Sequence, residues 1–204
     1  DEDGICDLLQ VSSTPVILSV NPASPGQSQT PTVSVETDIG STVYVFNDPT
    51  CSGDPLGQAM AWSSEPVQIQ LSIEANSTVY LHAHAVNESQ VTSPCTAAAF
   101  IYTHDDVAPP TPIIDLNGIT TSVINCTAAN LSASGTAEEE SVVGLYESST
   151  CSDISASPIA IATTDATGFW SIDATIENLT GPITLKAKSE DSAGNLSMCS
   201  VTIT

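Results

Sequence analysis

The sequence predicts an all-β protein built from two similar sandwich domains, and three observations lead to that prediction. Short runs of alternating apolar and polar residues fill the chain. Gly, Asn, Asp and Pro separate these runs, and no stretch shows a convincing helical pattern. The segment at residues 47–52 returns at residues 147–152, 100 residues later, with Thr-Cys-Ser retained. A period of that length matches one β-sandwich domain rather than a solenoid repeat.

The predicted strands follow in the same order in both copies. Each copy opens with a Thr-Pro pair ahead of an apolar strand, at Thr14 and Thr111, and closes with a cysteine ahead of an alternating strand. Alternation with a period of two predicts antiparallel strands that are buried on one face. About seven strands per copy predict an immunoglobulin-like sandwich. The clearest runs are at residues 42–46, 67–73 and 79–85, with counterparts at 142–146, 170–174 and 183–188.

The repeat divides the chain into a tail, a first domain, a linker and a second domain, at residues 1–11, 12–104, 105–110 and 111–204. Pro109 and Pro110 stiffen the linker, so we expect two domains standing end to end as a semi-rigid rod. The tail is acidic, yet it contains four apolar residues that need a packing partner: Ile5, Leu8, Leu9 and Val11.

Composition excludes several classes of partner. The chain has 204 residues, of which 24 are acidic and two are basic, and its formal net charge is −22. Nucleic acids and anionic lipids both need clustered Lys and Arg, so neither is expected to bind. No apolar run approaches the ~20 residues of a membrane span, so no direct membrane insertion is predicted. The acidity either keeps the surface soluble or gathers divalent cations, Ca²⁺ first among them.

The sequence contains no recognisable catalytic motif, and we predict that the chain is not an enzyme. No Ser or Cys lies in a recognisable nucleophile motif, and there is no Arg to hold an anion. His82 and His84 lie two residues apart on one strand, a spacing that can bind a metal, with His104 as a conceivable third ligand. They align with Lys186 and Lys188, so the simpler interpretation is an outward, solvated strand face.

Short motifs in both copies are similar to those of a known family. They include Gly-Ser-Thr-Val-Tyr and Thr-Cys-Ser-Gly in the first copy, and Asp-Ala-Thr-Gly-Phe-Trp-Ser and Asp-Ser-Ala-Gly-Asn in the second, at residues 40–44, 50–53, 165–171 and 191–195. The chain from about Thr14 to Thr204 resembles the bacterial immunoglobulin-like repeats of secreted and surface-anchored proteins. This resemblance implies an extracellular or cell-surface location and a role as stalk, spacer or adhesive module. Residues 87–90 of the first copy depart from the last of these motifs.

Acidic residues are concentrated in loops that are expected to meet at one end of the second sandwich. The incoming linker, the loop between the second and third strands and the last hairpin converge there in an immunoglobulin-like domain. Carboxylate and carbonyl oxygens suit Ca²⁺, and the resemblance implies junction calcium that stiffens the rod. A solvated acidic rim is the alternative. The predicted ligands are Asp105, Asp106, Glu138, Glu140, Asp191 and Asn195.

Six cysteines without a Cys-x-x-Cys pair indicate disulfides, and hence an oxidising compartment, rather than a zinc site. Two pairs occupy equivalent positions in the copies and are predicted to bond within each domain, Cys51 with Cys95 and Cys151 with Cys199. Cys6 and Cys126 have no repeat equivalents. We predict a bond between them that links neighbouring subunits. The alternatives are a Cys6 that pairs with an adjacent domain of a longer chain or stays free.

These observations predict a non-enzymatic extracellular structural or adhesive segment, whose partners are other domains or copies of the same protein. One alternative is a self-assembling filament in which the tail adds as a strand to a sheet edge of a neighbour. The simpler interpretation is that the tail packs on the first domain of its own chain. Another alternative is a carbohydrate-binding module with a cell-surface or glycan receptor, which needs exposed aromatic side chains. Trp62 is the one candidate, because Trp170 opens an alternating strand and is predicted to be core.

Overall fold

The structure is a computed structural model that describes residues 12–125, 128–147, 157–177 and 183–200. It divides into two compact units, Asp1–Asp106 and Val107–Thr204. The division falls inside the stretch predicted as the linker. The predictions for the tail and for Cys6, Cys126 and Cys151 lie outside the described residues.

Unit 1 is a sandwich of two antiparallel sheets, with strand orders β1-β2-β5 and β4-β3-β6-β7. The fourth strand pairs with the third, so it belongs to the larger sheet. This two-sheet arrangement is the predicted immunoglobulin-like fold. The strands are β1 (Val16–Asn21), β2 (Thr32–Glu36), β3 (Thr42–Phe46), β4 (Gly57–Met60), β5 (Val67–Gln70), β6 (Thr78–Val86) and β7 (Phe100–Thr103).

The core of unit 1 follows from the alternation in the sequence. Every second residue of β2, β3, β5 and β6 is apolar and points between the sheets, while the residues between them are mostly polar or partly exposed. Burial of these side chains supplies the main driving force for folding. Tyr102 closes one end of this core, where its hydroxyl lies 2.9 Å from the Ser28 carbonyl, and burial raises the pKa of Tyr102. The core includes Val33, Val35, Val43, Val45, Ile69, Leu71, Leu81 and Ala83.

Unit 2 repeats this plan with a broken first strand. Its sheets have the orders β13-β10-β8 and β12-β11-β14, and β9 also pairs with β10. Strands β8 and β9 lie end to end along β10, separated by a 3-10 turn at Leu116–Gly118. The strands are β8 (Ile113–Ile114), β9 (Thr120–Asn125), β10 (Ala128–Thr136), β11 (Val142–Glu147), β12 (Ala160–Thr163), β13 (Phe169–Glu177) and β14 (Leu185–Glu190).

Trp170 lies at the centre of the unit 2 core, as predicted. Gly135 makes room for it, because a Cβ atom at that position would lie 2.7 Å from the Trp170 ring and 1.9 Å from the Ile113 carbonyl oxygen. The residue therefore allows β8 and Trp170 to approach β10 together. In the described part of the chain, no helix is long and apolar enough to span a membrane.

The two units share hydrogen-bond detail as well as strand order. After the last hairpin of unit 1, the Ser93 hydroxyl accepts the Ala85 N–H at 2.9 Å, and the Ser93 N–H donates to the Ala85 carbonyl. In unit 2, Ser197 makes the same pair of contacts with Ser189. Both cysteines that follow, Cys95 and Cys199, are disulfide-bonded. The two units therefore have the same hydrogen-bond pattern in this segment.

Candidate functional site

The predicted Cys51–Cys95 disulfide is confirmed, with Cα atoms 5.7 Å apart. Asp48 shapes the turn that presents Cys51, because its carboxylate accepts the Thr50 N–H and its carbonyl accepts the Cys51 N–H. The bond joins this turn, which follows β3, to the segment after β6, so it ties together chain that is 44 residues apart. Cys199 is also disulfide-bonded. Its predicted partner, Cys151, lies outside the described residues.

The six predicted calcium ligands are divided between the units. Asp105 and Asp106 belong to unit 1, where their N–H groups donate to the Gly26 carbonyl and to Asn76 Oδ1. Both contacts hold the main chain of this segment. Glu138 and Glu140 belong to unit 2, in the exposed turn between β10 and β11. The Glu138 carbonyl accepts two hydroxyls, Ser141 Oγ and Thr164 Oγ1, both at 2.7 Å.

Asp191 and Asn195 contact each other in the hairpin that follows β14. Asp191 Oδ1 accepts the N–H groups of Ala193 and Asn195, each at 2.8 Å. Asp191 Oδ2 accepts the Asn195 side-chain amide at 2.9 Å. Among the described residues, no three acidic, histidine or cysteine side chains gather closely enough to hold a metal ion. Ca²⁺ binding by the predicted set stays a prediction.

The corresponding hairpin of unit 1 has the same geometry although its sequence departs from the motif. Asn87 takes the role of Asp191, since Asn87 Oδ1 accepts the Val91 N–H at 2.9 Å. Gln90 occupies the left-handed backbone region with φ of 62°, where unit 2 has Gly194 with φ of 86°. The turn is therefore retained in unit 1, with the neutral amide of Asn87 in place of the Asp191 carboxylate.

The expected solvated face at His82 and His84 is wrong. His82 is only 5% exposed, and its Nδ1 lies 2.9 Å from the Thr96 carbonyl oxygen. The segment after the last hairpin runs back along β6 and covers this side chain. His84 packs against Phe46, with ring centroids 5.0 Å apart, and desolvation lowers the pKa of His84. The alignment with the two lysines is nevertheless confirmed, because His84 pairs with Tyr44 as Lys188 pairs with Gly144.

His104 has a structural role in unit 1. Its ring is almost fully buried, and both nitrogens have partners. Nδ1 accepts the Asn76 N–H at 2.8 Å, so Nε2 carries the proton and donates to the Gln27 carbonyl at 3.1 Å. Neither nitrogen is left to ligate a metal, which argues against the conceivable third ligand.

The most exposed aromatic side chain of the described residues lies at the end of unit 1 where the β2–β3 turn meets the β4–β5 loop. Trp62 is 81% exposed, and Ile39 is 63% exposed. Two main-chain hydrogen bonds join their loops, from the Gly40 N–H to the Ala61 carbonyl and from the Ala61 N–H to the Ser41 carbonyl. The Glu88 carboxylate lies over Gly40. We call the surface formed by Ile39, Trp62 and Glu88 the loop tip.

Sequence reasoning found Trp62 but missed Ile39 and Glu88. The exposure of Ile39 could have been predicted, because an apolar residue between Asp38 and Gly40 lies in a turn and does not face the core. Glu88 could not be found, since its place beside Gly40 depends on how the hairpin after β6 folds over the β2–β3 turn.

Three carboxylates have lowered pKa values, and hydrogen bonds to the charged form explain each shift. The Thr167 hydroxyl is the main donor that lowers the pKa of Asp165, followed by main-chain N–H groups. Thr50 lowers the pKa of Asp48 in the same way, and Ser13 that of Asp38. Because a hydrogen bond to the charged form favours that form, the shifts of Asp48 and Asp165 reflect turn formation. The shift of Asp38 reflects the contact of its turn with Ser13, ahead of β1.

No family model and no curated protein matches this chain. Solved structures do show similarity. The human OSCAR ligand-binding domain is 15% identical, with 95% of this chain and 99% of that one covered and a TM-score of 0.43. The fibronectin(III)-like modules of CbhA from Clostridium thermocellum are 11% identical over 91% and 92%, with a TM-score of 0.49. The chicken CNTN1 FN1–FN3 domains are 13% identical over 94% and 66%, with a TM-score of 0.47. At these values, the assignment of the fold rests on the strand order described above.

Proposed function

We propose that this chain is a non-enzymatic, extracellular segment with a structural and adhesive role, related to the bacterial immunoglobulin-like repeats. Its partners would be other copies or domains of the same protein. The Cys51–Cys95 bond supports an oxidising compartment. The lowered pKa values of Asp48 and Asp165 arise from hydrogen bonds within their own turns, which supports a role without catalysis.

The exposure of Trp62 is the observation that carries the adhesive part of the proposal. Tryptophan is enriched among the residues that dominate binding at protein interfaces. Here the ring stands on a loop that is hydrogen-bonded to the neighbouring turn, so its main chain is held in place before a partner arrives. Binding would then require little ordering of the loop. Ile39 enlarges the apolar area, and Glu88 adds a polar rim.

Bead clustering tests this proposal directly. Fluorescent beads coated with the protein are expected to form clusters, and Trp62→Ala should reduce the clustered fraction at least fivefold. Leu116→Ala in unit 2 is the matched control, because it removes another highly exposed apolar side chain. Wild-type beads that stay dispersed, or Trp62→Ala beads that cluster as strongly as wild type, would reject the proposal. Circular dichroism of each variant checks that the fold is retained.

A second candidate function, a self-assembling filament, is favoured by the edge of the smaller sheet in unit 1. Strand β1 forms that edge, and its Val16 and Leu18 side chains are exposed. Beside it lies a groove of about 420 Å³ lined by residues 14–17 and 96–100, which are mainly Thr, Ala, Val, Ile and Phe. An unpaired strand edge next to an apolar groove can accept an added strand. The proposed occupant is the tail of a second copy, with Cys6 bonded to Cys126.

Gel electrophoresis of the native protein without reductant tests the filament. A ladder that collapses on reduction to a band near 21.0 kDa supports it. Leu18→Lys should shorten the ladder, because a charge on the edge strand opposes strand addition. A single band of the same mobility with and without reductant would rule out the disulfide-linked filament.

A further inference from the structure

The outward face of the sheet formed by β9, β10 and β13 in unit 2 carries an ordered array of polar side chains. Two rows cross the three strands. One row is Ser122, Asn130 and Thr175, and the other is Thr120, Ser132 and Asp173. The burial pattern of β10 and β13 places these residues on the side away from the core. They line an open groove of about 470 Å³, which we call the groove face.

The orientation of one amide within the groove face is set by a hydrogen bond. Thr175 Oγ1 donates to Asn130 Oδ1 at 3.0 Å. The carbonyl end of the Asn130 side chain is therefore occupied, and its NH₂ group is the end that a ligand meets. Hydroxyls of Ser132, Thr120 and Ser122 can donate or accept, whereas the Asp173 carboxylate only accepts. None of the described residues that line the groove has a basic side chain.

An apolar platform lies on the same face, further along the strands. Phe169 is 47% exposed and Ile113 is 64% exposed. Both pair with Thr136, one on each side of it, so the three form a row across the sheet. Phe169 and Asp173 are four residues apart on β13, which corresponds to roughly 13 Å at the rise of an antiparallel strand. A ligand that reaches both must be longer than a single sugar.

These features fit one class of ligand better than others. An anionic chain would be repelled by Asp173 and by a protein with a net charge of −22. An apolar ligand would bury hydroxyls and an amide without partners, which is unfavourable. A neutral oligosaccharide offers hydroxyl donors to Asp173, hydroxyl acceptors to Asn130, and the C–H face of a sugar ring to Phe169. We propose that the groove face binds a neutral oligosaccharide, with Phe169 as the stacking platform and Asp173 and Asn130 as the main polar contacts.

This proposal goes beyond the adhesive function above, because it concerns another unit, another surface and another ligand class. It also differs from the sequence-based expectation of a carbohydrate site at Trp62. The two are separated experimentally, since Trp62 and the groove face can be changed independently.

Affinity electrophoresis in native gels is the first test. The probes are three soluble neutral polysaccharides, mixed-linkage β-glucan, arabinoxylan and galactomannan, with polygalacturonate as the anionic comparison. At least one neutral probe is expected to retard the wild-type protein, and polygalacturonate is not. Phe169→Ala and Asp173→Ala should each weaken the retardation at least fivefold. Glu65→Ala in unit 1 is the matched control and should leave it unchanged. Trp62→Ala is a separate comparison that distinguishes the groove face from the loop tip.

Amide NMR shifts of the wild-type protein provide a readout that needs no variant. Titration with a hexasaccharide of the retarding polysaccharide should move the amides of residues 130–132 and 173–175. No retardation by any neutral probe would overturn the proposal. Retardation that depends on Trp62, or shifts confined to unit 1, would overturn it as well and assign sugar binding to the loop tip.

Discussion

Short polar side chains determine the turns of this protein. In unit 2, the Asp165 carboxylate accepts the N–H groups of Thr167 and Phe169, and Asp191 does the same two and four residues onward. Asn87 closes the matching turn of unit 1. An Asp or Asn that bonds main chain two residues later competes with strand pairing and so ends the strand. Part of the acidity of the chain is therefore structural, and these turns were visible in the sequence as Asp-rich and Gly-rich breaks.

Gln90→Gly is expected to stabilise unit 1 modestly. Gln90 has φ of 62°, a left-handed conformation that costs an L-residue about 1–2 kcal/mol. The greater freedom of glycine in the unfolded chain offsets about 0.5–1 kcal/mol of that gain. Urea denaturation should show a net gain of about 0.5–1 kcal/mol. The reciprocal control, Gly194→Ala in unit 2, should be destabilising, and a loss of stability in Gln90→Gly would contradict this account of the turn.

The Asp165 turn makes a pH-dependent contribution to stability. Its hydrogen bonds depress the pKa of Asp165 in the folded state, with the Thr167 hydroxyl as the main donor. The contribution is therefore present above the unfolded value of about 3.9 and is lost as pH falls through the folded pKa. Asp165→Asn should be less stable than wild type at pH 7, and the difference should shrink below pH ~3.9. Paired urea titrations at both pH values measure it, and a difference that stays constant with pH would be inconsistent with this role.

At the scale of strands and sheets, the sequence predicted those elements that show an alternating apolar pattern or that recur in both copies. Patterns in one or both copies predicted the positions of β3, β5, β6, β11, β13 and β14, the buried Trp170 and the Cys51–Cys95 pair. The break between β8 and β9 was missed, because it depends on the Asp115 turn and on the close approach allowed by Gly135. The burial of His82 was missed because its cover comes from a segment that has no strand pattern of its own.

Prediction of the candidate sites was limited in the same way, because contacts that form only on folding leave no pattern in the sequence. Trp62 was found because a tryptophan in a polar stretch is conspicuous. The groove face was not, because Ser, Thr and Asn on an outward strand face carry no sequence signal until the register aligns them across three strands. Register depends on pairing between distant segments, which a single sequence does not reveal.

Removing the Cys51–Cys95 bond is expected to destabilise unit 1 by about 4 kcal/mol, the chain-entropy value for a loop of that length. The double variant Cys51→Ser/Cys95→Ser and wild type would be compared by urea denaturation. In a Trp62→Phe background, fluorescence of the buried Trp170 provides an internal control, because it then reports on the core of unit 2 alone and should keep its transition midpoint. An equal shift of both units, or no shift of unit 1, would speak against a bond that acts within one sandwich.

At the scale of the whole molecule, a net charge of −22 on 204 residues is a source of self-repulsion that a bound cation would relieve. The predicted calcium ligands are Asp105, Asp106, Glu138, Glu140, Asp191 and Asn195. A ligand that binds only the folded protein raises its stability by mass action. Thermal melting in excess Ca²⁺ is therefore expected to give a higher Tm than melting in chelator.

Two controls make the calcium experiment specific. Equal ionic strength from NaCl separates binding from general screening. Glu65→Gln, an exposed carboxylate outside the predicted set, should retain the Ca²⁺ effect, whereas Glu140→Gln should reduce it. Identical Tm values with Ca²⁺ and with chelator, together with no heat of binding in calorimetry, would show that the protein does not bind Ca²⁺.

We infer that the chain consists of two copies of one sandwich, each closed by its own disulfide formed in an oxidising compartment. Mass spectrometry of disulfide-linked peptides from the native, unreduced protein tests it most directly. We expect one peptide pair that joins Cys51 to Cys95 and a second that joins Cys151 to Cys199. A peptide that joins Cys51 to Cys151, or recovery of these four cysteines as free thiols, would contradict it.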